Sequence, residues 1–229
     1  MTIGRLGFVA LVATLAAAVV LPASGAAGNE CNGVPKCISV PGPWVLVPRH
    51  GVATYLLECP ARRGVVGGLD AQLTSQDVRL TFDGLLASPV APGRTTTAYA
   101  FFRAVSAAGR QGAFEPRIGC IPSNTQRNNT SARVSPLGAP LDLVARTIAV
   151  HPGTVQTTTF GCPRGEHLVG SWDATAFNTS APPQLALADA IRVQRATRKG
   201  QVEITVTASQ TLSPAAQAQV QLGLECAGR

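Results

Sequence analysis

The chain has 229 residues and a formal net charge of +7. Aromatic residues make up 5% of the sequence, which is too few for the stacking surfaces that bind single-stranded nucleic acid. Beyond the N-terminus, no segment is apolar and long enough to span a bilayer. Composition therefore argues against a nucleic-acid partner and against a membrane-embedded protein.

Residues 1–27 have the organisation of a cleaved signal peptide. Arg5 provides the positive charge, an apolar run extends from Leu6 to Leu21, and Pro22 leads into small residues that end at Ala27. The alternative is an uncleaved anchor, but this run is shorter than the roughly twenty residues that a membrane-spanning helix needs. We therefore predict a secreted, extracellular protein that keeps no membrane segment after cleavage.

All cysteines lie beyond the predicted cleavage site. They are Cys31, Cys37, Cys59, Cys120, Cys162 and Cys226. An even number of cysteines that enters an oxidising compartment together predicts disulfides. No pair has the CxxC spacing of metal sites, and the histidines are not grouped with the cysteines. We expect neither a metal ion nor another cofactor.

An internal repeat divides the mature chain. CPARRGVVGGLDA begins at Cys59 and CPRGEHLVGSWDA begins at Cys162, and the two stretches align without a gap. Each copy ends with a further cysteine at a comparable distance, Cys120 in the first and Cys226 in the second. Two copies of one fold predict the pairs Cys59–Cys120 and Cys162–Cys226, which leaves the two N-terminal cysteines to each other.

Short stretches rich in Val, Thr, Ile and Phe alternate with Gly and Pro, a pattern typical of an all-β sandwich or barrel. The clearest alternation is in the last hairpin, whose turn is predicted at Arg198 to Gly200. Helical periodicity is weak throughout. The predicted strands lie near 44–47, 52–59, 65–74, 78–85, 97–105, 114–120, 142–150, 154–162, 167–177, 185–195, 201–209 and 218–226.

The repeat and the strand pattern predict an all-β fold of two tandem antiparallel β-sandwich modules, immunoglobulin-like in outline. The predicted organisation is a signal peptide at 1–27, a first module at 28–122 with an N-terminal Cys31–Cys37 loop, a polar linker at 123–139 and a second module at 140–229. The Cys, Trp, Cys pattern of true immunoglobulin domains is absent from the first module, because Leu69 aligns with Trp172. The prediction therefore covers the sandwich outline rather than the full topology.

Two polar positions recur in the repeat. Asp70 and Asp173 align directly after Val-Gly-Gly and Val-Gly-Ser. Neither has the oxygen-rich loop that calcium requires, so we predict that both carboxylates hydrogen-bond to local backbone. The aligned Gly67 and Gly170 predict β-bulges or close packing rather than a phosphate site, since no helix follows them.

The histidines raise the question of catalysis. His50 and His151 fall in the same turn of the two copies, whereas His167 aligns with a glycine. No hydrolase motif accompanies them, so the sequence favours a protein without catalytic residues. The alternative is a secreted hydrolase with an unrecognised site near His151, His167 and Asp173, with Ser171 as nucleophile.

Four basic residues gather on the hairpin of the second module. They are Arg192, Arg195, Arg198 and Lys199. Such a cluster is a candidate anion-binding site, and the alternative is a solvated hairpin without a ligand.

The repeated motif, CP followed by a variable stretch and then VGG or VGS, resembles uncharacterised secreted proteins of actinobacteria. This resemblance covers a small part of each module, and it implies origin and extracellular location without a known activity. The leading interpretation is a secreted, non-enzymatic binding or structural protein that acts at the cell wall or on extracellular glycans. Its expected partner is an anionic cell-wall polymer or polysaccharide.

Overall fold

The computed structural model describes residues 29–33, 36–60, 64–82, 89–91, 94–95, 99–121, 132–134 and 140–228. The predicted signal peptide lies outside these residues, as does most of the predicted linker at 123–139. Across the described ranges, no helix is both long and apolar enough to cross a membrane.

The structure is all-β with antiparallel pairing, as predicted. Its helical content in the described part is two short 3₁₀ helices, Leu185–Ala190 and Pro214–Ala216. The strands are β1 (Ile38–Pro41), β2 (Trp44–Val47), β3 (Val52–Glu58), β4 (Val65–Leu73), β5 (Val78–Phe82), β6 (Pro89–Ala91), β7 (Arg94–Thr95), β8 (Tyr99–Ser106), β9 (Gly112–Ile121), β10 (Ala132–Val134), β11 (Pro140–Ala149), β12 (Val155–Gly161), β13 (His167–Phe177), β14 (Ile191–Arg198), β15 (Gln201–Ala208) and β16 (Ala218–Ala227).

One predicted strand was wrong over half its length. The segment predicted as a strand at 185–195 begins with the 3₁₀ helix Leu185–Ala190, and β14 starts only at Ile191. Leu185 and Leu187 both pack against the hydrophobic core that contains Ile204 and Leu224, so a 3₁₀ turn partly buries this pair as an alternating strand would have done. The predicted turn is confirmed, because Lys199 and Gly200 both have positive φ between the paired Arg198 and Gln201.

A central eight-stranded sheet contains strands from both halves of the chain. In the first half, β1 and β2 lie end to end along one edge of β9, and β4 lies along the other edge. In the second half, β16 is flanked by β11 and β13, and β10 pairs with β11. The halves join where Ala176 and Phe177 of β13 pair with Val45 and Trp44 of β2.

Two three-stranded sheets cover the central sheet. The sheet β3–β8–β5 packs over a core that includes Phe102, Phe114 and Ile118, and the sheet β12–β15–β14 packs over a core that includes Ile204 and Leu224. Directly paired residues point to the same face of a sheet, and consecutive residues of a strand point to opposite faces. At the β2–β13 junction one pair lies in the first of these cores and the next pair lies in the other, so the two cores lie on opposite faces. The small sheets therefore cover opposite faces of the central sheet.

Strand β2 belongs to both cores. Val45 and Val47 are fully buried in the core under β3–β8–β5, whereas Trp44 and Leu46 lie in the core under β12–β15–β14. All four residues are buried because the strand is covered on both faces. The predicted module limits stay a prediction. The two halves nevertheless share one sheet, and each core contains residues from both halves.

Polar contacts also tie the halves together. The Gln221 side chain, 4% exposed, accepts a hydrogen bond from Leu56 N at 2.8 Å and donates one to Leu56 O at 2.9 Å. Gln219 Nε2 donates to the Tyr55 hydroxyl at 3.0 Å. Burial raises the pKa of Tyr55 to about 12, although the hydrogen bond from Gln219 lowers it in part. The Phe101 and Trp172 rings meet edge to face, 5.0 Å apart.

All three predicted disulfides are confirmed: Cys31–Cys37, Cys59–Cys120 and Cys162–Cys226. The two long bridges each join the end of a strand in a small sheet (β3 or β12) to the last strand of the half in the central sheet (β9 or β16). Their sequence separations of 61 and 64 correspond to about 4 kcal/mol each by the chain-entropy model. Three bridges indicate folding in an oxidising compartment.

The N-terminal disulfide loop packs on the first half. Gly68 of β4 and Gly119 of β9 are directly opposite each other, and the carbonyl oxygen of Glu30 lies over both. A Cβ at either glycine would collide with that oxygen. Two facing glycines therefore form the seat for the loop.

Candidate functional site

The aligned aspartates do not occupy equivalent places. Asp70 pairs across the ladder with Arg117, three residues before Cys120, whereas Asp173 pairs with Leu222, four residues before Cys226. Side chains alternate between faces along a strand, so this difference of one residue points Asp173 toward the core of its own half, beside Leu222, and points Asp70 away from the core of its own half. The predicted equivalence was wrong, since sequence alignment does not report the register of β13 against β16.

Their contacts differ accordingly. Asp70 accepts hydrogen bonds from Ala71 N at 2.8 Å and Asn29 N at 2.7 Å, which confirms the predicted backbone role. Asp173 instead accepts a hydrogen bond from Arg195 at 2.9 Å, from β13 across to β14. The backbone role predicted for Asp173 is therefore replaced by an ion pair between two sheets.

The environment of Asp173 is half-buried. Burial raises the pKa of its carboxyl above the usual range, and the charge of Arg195 lowers it in part. The two side chains are 29% and 34% exposed, so each keeps free hydrogen-bonding capacity at a solvent boundary. This pair marks the wall of a cleft.

The cleft has a volume of about 450 Å³ and lies between the halves, within the range of small-ligand pockets. The second half contributes Ser171–Thr175 of β13 and part of β14, and the first half contributes Val52–Thr54 of β3 together with Leu46 and Gln111. The walls thus combine apolar side chains with hydroxyl, amide and charged groups.

The residues of the hydrolase interpretation are not brought together. Ser171 and Asp173 line the cleft. His167 lies six residues before Asp173 on β13, which is roughly 20 Å at the rise per residue of a β-strand. His151 is exposed in the turn between β11 and β12, beyond the far end of the sheet from His167. Geometry therefore gives no support to a Ser, His, Asp arrangement.

The predicted bulges are present. The ladder skips Gly67 between Val66 and Gly68, and in the second half it skips Val169, next to Gly170. A Cβ at Gly170 would be 2.9 Å from a carboxylate oxygen at the flexible end of the Glu225 side chain, so a larger residue here would require Glu225 to shift.

The four basic residues of the hairpin divide between two faces. Arg195 is opposite the buried Ile204 and points to the inner face, where it meets Asp173. Arg192 and Arg198 are opposite Thr207 and Gln201, on the outer face of the β12–β15–β14 sheet. Lys199 is exposed in the turn.

The outer face of the β12–β15–β14 sheet carries mostly polar side chains. We define this face by the residues that alternate along each strand with the buried inner ones. They are Val155, Thr157 and Thr159 of β12, Gln201, Glu203, Thr205 and Thr207 of β15, and Arg192, Gln194, Ala196 and Arg198 of β14. Thr157 and Thr205 hydroxyls lie 3.0 Å apart at its centre. Among the described residues, neither Arg192 nor Arg198 has an acidic partner.

Sequence reasoning found one side of the cleft and missed the other. Ser171, Asp173 and Arg195 were singled out by the repeat and by charge, but Thr54 and Gln111 carry no local signal and reach the cleft only because β2 joins β13. Within the described part of the chain, no group of three His, Cys, Asp or Glu side chains could hold a metal ion.

No protein-family model, no curated protein and no solved structure matches the chain.

Proposed function

We propose that this chain is a secreted, non-enzymatic binding protein that holds an anionic polysaccharide or cell-wall polymer on the outer face. The observation that carries the proposal is the pair of exposed guanidinium groups of Arg192 and Arg198, which have no acidic partner among the described residues. They lie on a sheet face whose other side chains are mostly hydroxyl and amide groups. The predicted signal peptide and the three disulfides support an extracellular site of action.

The chemistry of the outer face suits such a polymer. Its three strands set side chains in a grid of about 4.8 Å between strands and about 6.8 Å along each strand. Threonine and glutamine side chains donate and accept hydrogen bonds with sugar hydroxyls, and arginine binds carboxylate or phosphate oxygens in bidentate geometry. Glu203 is the single acidic residue of the outer face. Because Arg192 and Arg198 lie on the same face, the formal charge of the face is positive.

The disulfide Cys162–Cys226 supports a rigid presentation of this face. It ties the end of β12 to β16, so the small sheet is fixed to the central sheet. A fixed face loses little conformational entropy on binding an extended polymer.

Titration of the oxidised mature chain with polygalacturonate, at increasing sodium chloride, tests the proposal. We expect saturable binding that weakens with salt and is lowered roughly 2- to 30-fold in R192Q/R198Q, because each exposed ion pair contributes about 0.2–1 kcal/mol. Arg49→Gln, an exposed arginine outside the face, is the matched control and leaves binding unchanged. Binding that is equal for both variants, or the absence of saturable binding, would refute the role of the outer face.

A further inference from the structure

The cleft between the halves is bounded by strand edges. Five consecutive residues of β13, Ser171–Thr175, line it, together with three consecutive residues of β3, Val52–Thr54. Consecutive residues of a strand point to alternate faces, so a cavity that touches all of them runs along the edge of the strand. The cleft therefore lies between two strand edges.

Both edges lack a neighbouring strand in the described part of the structure. On this side β13 pairs with β2 only at Ala176 and Phe177, and β3 is the outer strand of its sheet, paired with β8 alone. An unpaired edge presents a row of free N–H and C=O groups.

Gln221 shows which backbone groups of β3 point to the free edge. Its side-chain amide bonds both the N–H and the C=O of Leu56, in the manner of a neighbouring strand. Backbone groups two residues apart in an antiparallel strand point the same way, so the N–H and C=O of Thr54 also point to this edge. Thr54 lines the cleft with 8% of its surface exposed, and no described residue bonds its backbone there. The free part of the edge ends at Leu56, whose N–H and C=O are held by Gln221.

We infer that the cleft binds a peptide segment in extended conformation, which adds a short strand at the Thr54 edge of β3 and lies alongside β13. The lining run of β13 spans about 13 Å, which accommodates four to five extended residues. Leu46, Ile191 and Val193 form apolar wall for alternate side chains of the peptide, and Asp173 with Arg195 offers an acceptor and a donor for a polar one. Strand addition of this kind takes affinity from main-chain hydrogen bonds and selectivity from side-chain pockets.

This site is separate from the outer face, and its test is independent of polysaccharide binding. The probe is the pentapeptide acetyl-VTVTV-amide, titrated into the ¹⁵N-labelled mature protein and followed by amide chemical shifts. We expect saturable shifts centred on Thr54 and Ser171–Thr175. The same peptide N-methylated at its second and fourth residues loses main-chain donors and binds about tenfold more weakly or worse.

Two variants complete the experiment. Thr54→Pro removes the N–H that points into the cleft, and proline is tolerated at a free edge, so we expect loss of the peptide shifts in a folded protein. R192Q/R198Q is expected to keep them. If Thr54→Pro does not fold, the N-methylated peptide alone decides. Equal binding of the plain and N-methylated peptides, no saturable shift, or shifts at the same amides with maltopentaose alone would overturn the inference.

Discussion

The contact between Gln221 and β3 gives a direct measure of how strongly the halves stabilise each other. Gln221→Met keeps most of the side-chain volume and removes both hydrogen bonds to Leu56, leaving a partly buried N–H and a partly buried C=O without partners. Each such group costs roughly 1–3 kcal/mol, so we expect the unfolding free energy to fall by about 2–6 kcal/mol. The melting temperature should drop by roughly 2–4 °C for every kcal/mol in a chain of this size.

Urea denaturation of the oxidised protein, followed by far-UV circular dichroism, measures this change. Gln201→Met is the matched control, because Gln201 is exposed on the outer face and its substitution should stay within about 0.5 kcal/mol. If Gln221→Met is as mild as this control, the amide does not serve as a partner for β3 and the reasoning about the interface fails.

Three further results are expected. Replacing both Cys162 and Cys226 by alanine should lower the unfolding free energy by about 4 kcal/mol in denaturant titrations, and a loss below 1 kcal/mol would contradict the loop-closure account. Gly119→Ala should displace the loop around Glu30, seen as faster proteolysis before Cys37 in the non-reduced protein, and unchanged cleavage kinetics would argue against the glycine seat. Tyr55 should ionise with a midpoint of about 12 in ultraviolet titration, with the second tyrosine changed to phenylalanine. Because the pKa of Tyr55 is higher in the folded protein than in the unfolded chain, its contribution to the unfolding free energy is complete below about pH 10 and should be lost between pH 10 and 12. A normal midpoint near 10 would show that the ring is solvated.

The disulfides and most strands were predictable because they depend on local pattern. Each copy of the repeat carries an early and a late cysteine, and alternation in stretches such as Gln201–Ala208 specifies a strand with one buried face. By contrast, Leu185–Ala190 has the same apolar spacing and forms a 3₁₀ helix. Local pattern alone does not separate these two outcomes.

The joining of the halves and the register of β13 were not predictable from the repeat. Pairing between β2 and β13 connects residues more than a hundred positions apart, and no propensity reports it. The available signal is the run Trp44–Val47, four apolar residues in a row, which is typical of a strand buried on both faces. The cleft follows from this junction, so its first-half residues were missed for the same reason.

The central structural claim is that the two halves form one cooperative unit through the shared sheet. Differential scanning calorimetry of the oxidised mature protein tests it most directly. One transition, with a calorimetric enthalpy equal to the van't Hoff enthalpy, is the predicted result. Two resolved transitions, or a calorimetric enthalpy about twice the van't Hoff value, would show that the halves unfold independently and would contradict the account.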